Sequence, residues 1–131
     1  MADADITHLC PELLVLYQQW LMECIAAGLA VRVTVTWRNP EDQDKAKAAG
    51  LSNASAGQSP HNCMIDGQPA SKAFDFACFM ADGHYIADGS APEYKKAGEI
   101  GKSLGLVWGG DFHSIFDPDH LELPHWRGLN P

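Results

Sequence analysis

Short helices alternating with hairpin-connected strands predict an α+β domain, a small and mostly antiparallel sheet flanked by helices. Three stretches carry the prediction. Apolar residues recur at helical spacing through PELLVLYQQWLMECIAAG, strict alternation runs through AVRVTVTWR, and an Asp-Gly pair separates the apolar run KAFDFACFM from HYIAD.

In the first stretch Leu13, Leu14, Tyr17, Trp20, Leu21, Cys24 and Ile25 form one apolar face, with Pro11 suited to the first turn and Gly28 to the stop. The strand that follows sets Val31, Val33, Val35 and Trp37 on its buried side and Arg32, Thr34, Thr36 and Arg38 on the other. Asn39 offers an N-cap, Pro40 the first helical position, Glu41 and Asp42 a negative first turn and Gly50 an end, which predicts a short helix over 40–49. The segment from Ser59 to Ser71 is too polar and too rich in Gly and Pro for regular structure. A second strand comes next, with Phe74, Phe76, Cys78 and Met80 on one face. Asp75 then points the other way, beside the small Ala73 and Ala77, which leaves room next to its carboxylate. Asp82-Gly83 turns the chain into HYIAD as a hairpin. A further helix starts at Ser90 or Pro92, carries Tyr94, Ala97, Ile100 and Leu104 as its stripe, and stops at Gly105. From there to Trp126 the pattern is strand, Gly-rich turn, irregular loop and final strand.

With 131 residues, 46% of them hydrophobic, the chain fits one domain over 1–131 that buries a core without disulfides. Cys10, Cys24, Cys63 and Cys78 stand singly with no C-x-x-C pair, which argues for reduced thiols and against a cysteine zinc ribbon. The formal charge of −8, with only nine scattered Lys and Arg, argues against a nucleic-acid partner. The first helical run contains Gln18, Gln19 and Glu23 and lacks a basic leader. It reads neither as a signal peptide nor as a membrane span, so cytoplasmic synthesis without membrane insertion is expected.

Catalytic zinc takes three protein ligands from His, Asp or Glu and leaves the fourth position to water. His61, Asp75 and His120 could supply that set from a loop, a strand face and the start of the last strand. Asp117, three residues before His120 and stiffened by Pro118, could reach the water whose pKa such a metal lowers to about 7.

In combination, Ser59 to His61 (SPH), Ala73 to Phe76 (AFDF) and Asp117 to His120 (DPDH) resemble the M15 zinc peptidases. That family includes the D,D-peptidases of the VanX and VanY type and phage L-alanyl-D-glutamate endolysins. GLVWGGDF, just before the last of these motifs, is similar to the corresponding segment of the endolysin branch, and the likeness runs from about Val35 to Leu123. The resemblance implies the Hedgehog/D,D-peptidase-like zinc peptidase fold and one Zn2+ held by His61, Asp75 and His120. It also implies Asp117 as catalytic acid/base, Arg38 as the group that binds substrate and steadies the oxyanion, and Ser59 as support for the ligand loop on the substrate-binding side. The interval from His61 to Asp75, 14 residues, is longer than the family's usual spacing. The excess, roughly Asn62 to Ser71, would form an extra lobe beside the cleft, and it leaves Asp66 as an alternative carboxylate ligand. Asp75 is preferred because a strand holds a side chain more rigidly than a Gly-flanked turn does.

Other readings compete residue by residue. His8, His84, His113 and His125 fit surface or hydrogen-bonding roles, Arg38 could pair with Glu41 or Asp42, and Cys63 could bind metal or pack. Trp108 and Trp126 flank the cleft and could stack on substrate, although aromatic residues beside Gly turns commonly pack. Glu122 falls on the His120 face and could support that ligand. The expected function is a monomeric zinc endopeptidase that cuts the peptide stem of bacterial peptidoglycan, most directly the L-Ala to D-Glu bond. It would be a phage or prophage endolysin without a separate wall-binding domain, reaching the wall through a holin-type membrane lesion. The alternatives are a D,D-carboxypeptidase or dipeptidase acting on D-Ala-D-Ala, and a non-catalytic zinc module that closes its metal with a fourth ligand from Cys63 or Asp66.

Overall fold

The computed structural model describes residues 3–50, 59–113 and 115–126. Helix α1 spans Pro11–Ala26, with proline in its first turn and Gly28 at a φ of 82° just beyond its end. Strand β1 (Ala30–Val35) follows, then α2 (Pro40–Ala48), whose Asn39 cap accepts the Asp42 N–H at 2.8 Å. Strands β2 (Met64–Ile65) and β3 (Gln68–Pro69) form a hairpin of their own. Strand β4 (Ala73–Phe79), helix α3 (Pro92–Ser103), β5 (Val107–Trp108) and β6 (His120–Glu122) complete the domain.

The main sheet has the order β1-β4-β6-β5, antiparallel at every pairing, so the α+β expectation holds. One face of β4 carries Phe74, Phe76 and Cys78 into the core. There Trp20 of α1 lies 5.0 Å from both phenyl rings, Tyr94 of α3 lies 5.8 Å from Phe76, and the Trp20 indole N–H donates to the Ala97 carbonyl at 3.0 Å. Each such aromatic side chain contributes about 1.5–3 kcal/mol by leaving water. The other face of β4 carries Asp75.

The edge of β4 opposite β1 is shared between several partners. β6 pairs with Ala73 to Asp75, the Asp119 carbonyl accepts the Phe76 N–H, and the Tyr94 hydroxyl sits between the Cys78 N–H and the Ile86 carbonyl. Tyr94 thereby ends the ladder that HYIAD was expected to continue. The Asp82-Gly83 turn forms, but beyond it only the Phe79 to Tyr85 bridge pairs. Where the two return segments part, a groove of about 510 Å³ opens, lined by Tyr85, Asp88, Phe116, Asp117 and Asp119 among others.

Several expectations need correction. Met80 lies past the strand end and is 54% exposed, so it does not join the Phe74 face, and Ile25 is exposed on the solvent side of α1. Pairing jumps from Val33–Phe76 to Val35–Asp75, leaving Thr34 as an extra residue in β1. The bulge breaks the alternation, and Thr36, expected on the polar side, is fully buried. The inserted segment is ordered, not irregular. Asp66 and Gly67 both have positive φ, 52° and 77°, as the tight β2–β3 turn requires.

Close approach explains the glycines of α3. A methyl group added at Gly98 would fall inside the Trp108 ring, and one at Gly101 would meet Leu121. Gly98→Ala should therefore cost about 1–3 kcal/mol of stability. Urea unfolding checks it, and an unchanged midpoint would mean that α3 does not sit this close to β5.

Candidate metal centre

Ser59 begins a single 3-10 turn, Pro60–Asn62, by accepting the His61 N–H at 3.2 Å, while the Asn62 side chain accepts the Ser59 N–H at 3.1 Å. This reciprocal cap shapes the loop that the Ser-x-His spacing marked out. The turn is then tied on two sides. Asn62 Nδ2 donates to the Arg38 carbonyl at 2.7 Å and the Arg38 N–H donates to the His61 carbonyl at 2.9 Å, while the Lys72 N–H donates to the Pro60 carbonyl at 3.0 Å. Across the sheet, register places His120 directly opposite Asp75.

These constraints bring His61, Asp75 and His120 together, with ligand atoms all within 4.8 Å of one another. His61 Nε2 lies 3.2 Å and His120 Nδ1 2.9 Å from Asp75 Oδ1. The two imidazoles are 3% and 5% exposed, and the Asp75 side chain 15%. Their outer nitrogens are already committed. His61 Nδ1 faces the Thr36 carbonyl at 2.8 Å and His120 Nε2 faces Glu122 Oε1 at 2.8 Å, and since both partners only accept, both nitrogens carry the proton. A neutral ring in either place would then turn a lone pair onto the Asp75 carboxylate. That repulsion is relieved by protonating the rings or by a cation between them, and two imidazoles with one carboxylate suit zinc. The donor set therefore fits the metal.

Charge in the site follows the same geometry. Burial alone would raise the Asp75 carboxyl, but the charges and hydrogen bonds of His61 and His120 outweigh it and hold it well below the usual carboxylate range. Burial likewise opposes the His120 imidazolium, which its bonds to Asp75 and Glu122 nevertheless keep well above the usual 6.5. Glu122 thus touches the ring that strand period assigned it to.

Asp117 stands at the groove end of the centre, with Oδ2 3.7 Å from His120 Nδ1 and a side chain one-third exposed. Its loop is fastened by the Trp108 indole N–H, which donates to the Pro118 carbonyl at 2.8 Å, and by the Asp117 N–H, which donates to the Gly109 carbonyl at 3.0 Å. A side chain at Gly109 would collide with the Asp117 backbone, so only glycine fits the approach. Arg38 approaches the other carboxylate oxygen, its guanidinium 3.9 Å from Asp75 Oδ2. It thus faces the centre, while its charge also acts on Asp42.

One expected role changes. Trp108 was expected to offer substrate a stacking face, but it is 6% exposed and packed on Gly98, so its part here is to hold the Asp117 loop. Trp126 is buried as well. Asp66 sits exposed in the β2–β3 turn, and Cys63 is buried with its thiol pushed up by desolvation; among the described residues neither joins the His61, Asp75 and His120 group. A residue that motif spacing passed over also lies here. Asp119 groups with Asp75 and Asp117, and burial first, then the neighbouring charges, push its carboxyl up to about 8. The acid-rich DPDH stretch was its only signal, and a bound dication would reverse part of that push.

Comparison with known proteins identifies the family and the fold. Residues 26–123 match the M15_4 peptidase family described as D-alanyl-D-alanine carboxypeptidase. The peptidoglycan L-alanyl-D-glutamate endopeptidase CwlK of Bacillus subtilis is 30% identical over 110 residues, 73% of this chain and 62% of CwlK. The chain thus spans under two thirds of that relative. The Serratia marcescens L-Ala D-Glu endopeptidase ChiX superposes with a TM-score of 0.69 at 18% identity, over 96% of this chain and 87% of its own. The LD-carboxypeptidase LdcB superposes at 0.61 and 15% identity, over 93% of this chain and 63% of its own, so both structures share the fold.

The elevated His120 value sets the sign of a pH effect. Zinc must displace the His120 proton, so its affinity should rise with pH across the range where the metal-free imidazolium ionises, about tenfold per unit for each proton released. Zinc titration from acid to mildly alkaline pH checks it; a flat profile would contradict the ligand assignment.

Proposed function

Because the chain belongs to the M15 peptidase family, whose pattern covers residues 26–123, we propose that it is a zinc-dependent endopeptidase of bacterial peptidoglycan. Its target is the stem peptide, at the L-alanyl-D-glutamate bond. The observation that carries the reading is the convergence of His61 Nε2 and His120 Nδ1 on Asp75, with both outer nitrogens engaged and an acid, Asp117, beside them at the mouth of a groove. The bond preference leans on the activities named for CwlK and ChiX.

His61, Asp75 and His120 would hold the zinc ion, which would supply Lewis acidity toward the carbonyl and the attacking water. Asp117 takes a proton from the attacking water as its oxygen bonds to the scissile carbonyl carbon, and returns it to the amide nitrogen as the C–N bond breaks. Arg38 supplies a fixed positive charge for the oxygen that turns negative in the transition state. Ser59 keeps the His61 turn in shape and has no need to touch substrate. The groove along Tyr85, Asp88 and Phe116 gives the peptide a place to lie as it approaches Asp117.

The family description supports a second reading, a carboxypeptidase that removes terminal D-Ala. A further part of the proposal is a monomeric endolysin in a phage or prophage, released to the wall through a holin-type lesion; it rests on the likeness of Gly105 to Phe112 to endolysins. Among the described residues no helix is long and apolar enough to cross a membrane.

Mass spectrometry of defined muropeptides after digestion, with and without chelator, tests the reading. A cut after L-Ala that chelator abolishes is expected; release of D-Ala alone would favour the second reading. Asp117→Asn should keep zinc and lower kcat by about 10²–10⁴-fold, whereas His120→Ala should lose zinc and activity together. Undiminished turnover in either variant would refute the assignment.

A further inference from the structure

The proton on His61 Nδ1 is fixed by the carbonyl of Thr36, a residue that β1 by itself does not hold. Thr36 lies beyond the Thr34 bulge and past the end of the strand, yet it is fully buried. What holds it is the beginning of the chain. Its hydroxyl lies 2.7 Å from Asp3 Oδ1, 2.8 Å from the Asp5 carbonyl and 3.1 Å from the Asp3 carbonyl. The backbones pair too: the Thr36 N–H donates to the Asp3 carbonyl, and the Asp3 N–H donates to the Trp37 carbonyl at 3.0 Å.

Asp3 is braced in turn. His8 Nδ1 meets its Oδ2 at 2.9 Å and the Asp5 N–H donates to its Oδ1 at 3.1 Å. Farther along, the Ser71 N–H donates to the His8 carbonyl at 2.8 Å, the Cys10 N–H donates to the Ser71 carbonyl at 2.9 Å, and Leu9 bridges Ser71 in parallel. Residues 3–10 therefore touch both the residue that orients His61 and the segment that leads into Asp75.

We propose that Asp3 to Leu9 form a positioning strap for the metal centre, in which Asp3 and Thr36 hold the Thr36 carbonyl against His61 Nδ1 and so keep the Nε2 lone pair aimed at the metal. The inference rests on the zinc reading above. A metal-binding imidazole depends on the partner of its outer N–H, and loss of such a partner costs about 10–100-fold in metal affinity. Here the partner is a main-chain carbonyl, which no substitution removes. The effect falls instead on the side chains that locate it, and Thr36 and Asp3 are positioning residues in that sense.

The test is zinc affinity of the full chain, by competition with a chromophoric chelator, in Thr36→Val, Thr36→Ser and Asp3→Ala, beside thermal melting of each metal-free protein. Thr36→Val and Asp3→Ala should bind zinc about 10–100-fold more weakly, and Thr36→Ser, which keeps the hydroxyl, should bind close to wild type. Should Thr36→Val not fold, Asp3→Ala carries the test, because its side chain is partly exposed and leaves no internal cavity. Wild-type affinity in folded Thr36→Val or Asp3→Ala, with or without a lower melting temperature, would overturn the strap as a device for the metal and leave it a purely structural contact. Tight zinc binding by the wild type keeps that outcome separate from failure of the zinc reading. A wild type that binds no zinc would remove both.

Discussion

A carboxylate buried between two imidazoles whose outer protons are already spent is the constraint on which the rest of the site depends. Asp75 is held on a central strand, with His120 opposite it in register and His61 brought in by a capped turn. Removing that charge from water is costly unless an opposite charge meets it. Thr36 and Glu122 force each ring to present its bare nitrogen to the carboxylate, so positive charge has to come either as protons or as a metal ion. One dication satisfies all three groups at once.

The scaffold separates two chemistries on the faces of one strand. Phe74 and Phe76 commit one side of β4 to the aromatic core, which fixes the strand's rotation and hence the direction of Asp75. Ala73 and Ala77, which flank Asp75 on that face, are both buried. Along the far edge, the substitution of a tyrosine hydroxyl and an aspartate carbonyl for a continuous strand opens the groove at the point where Asp117 arrives. Glycine at 98, 101 and 109 lets α3, Trp108 and the acid loop approach closely enough to close this arrangement.

Much of this was legible in order of residues alone. Period 2 in Ala30 to Val35 and Ala73 to Phe79, and period 3.6 in Pro11 to Ala26, follow from faces that must bury apolar side chains, and those elements appear where the pattern puts them. The family, and the meeting of His61, Asp75 and His120, were readable because motif order survives even where spacing stretches. Asp66-Gly67 was readable as a turn but not as a hairpin: the strands it joins are too short and polar to show periodicity. The Thr34 bulge and the burial of Thr36 were not readable, because each depends on partners distant in sequence: Phe76 and Asp75, and Asp3. Asp119 belongs with these, since only tertiary approach to Asp75 and Asp117 distinguishes it from an ordinary turn aspartate.

X-ray absorption spectroscopy of the zinc-loaded chain bears most directly on the buried carboxylate and its two imidazoles. Two imidazole nitrogens at about 2.0–2.1 Å, one carboxylate oxygen at about 2.0–2.2 Å and one solvent oxygen are predicted. A shell with sulfur, with fewer than two imidazoles, or closed by four protein groups would contradict it.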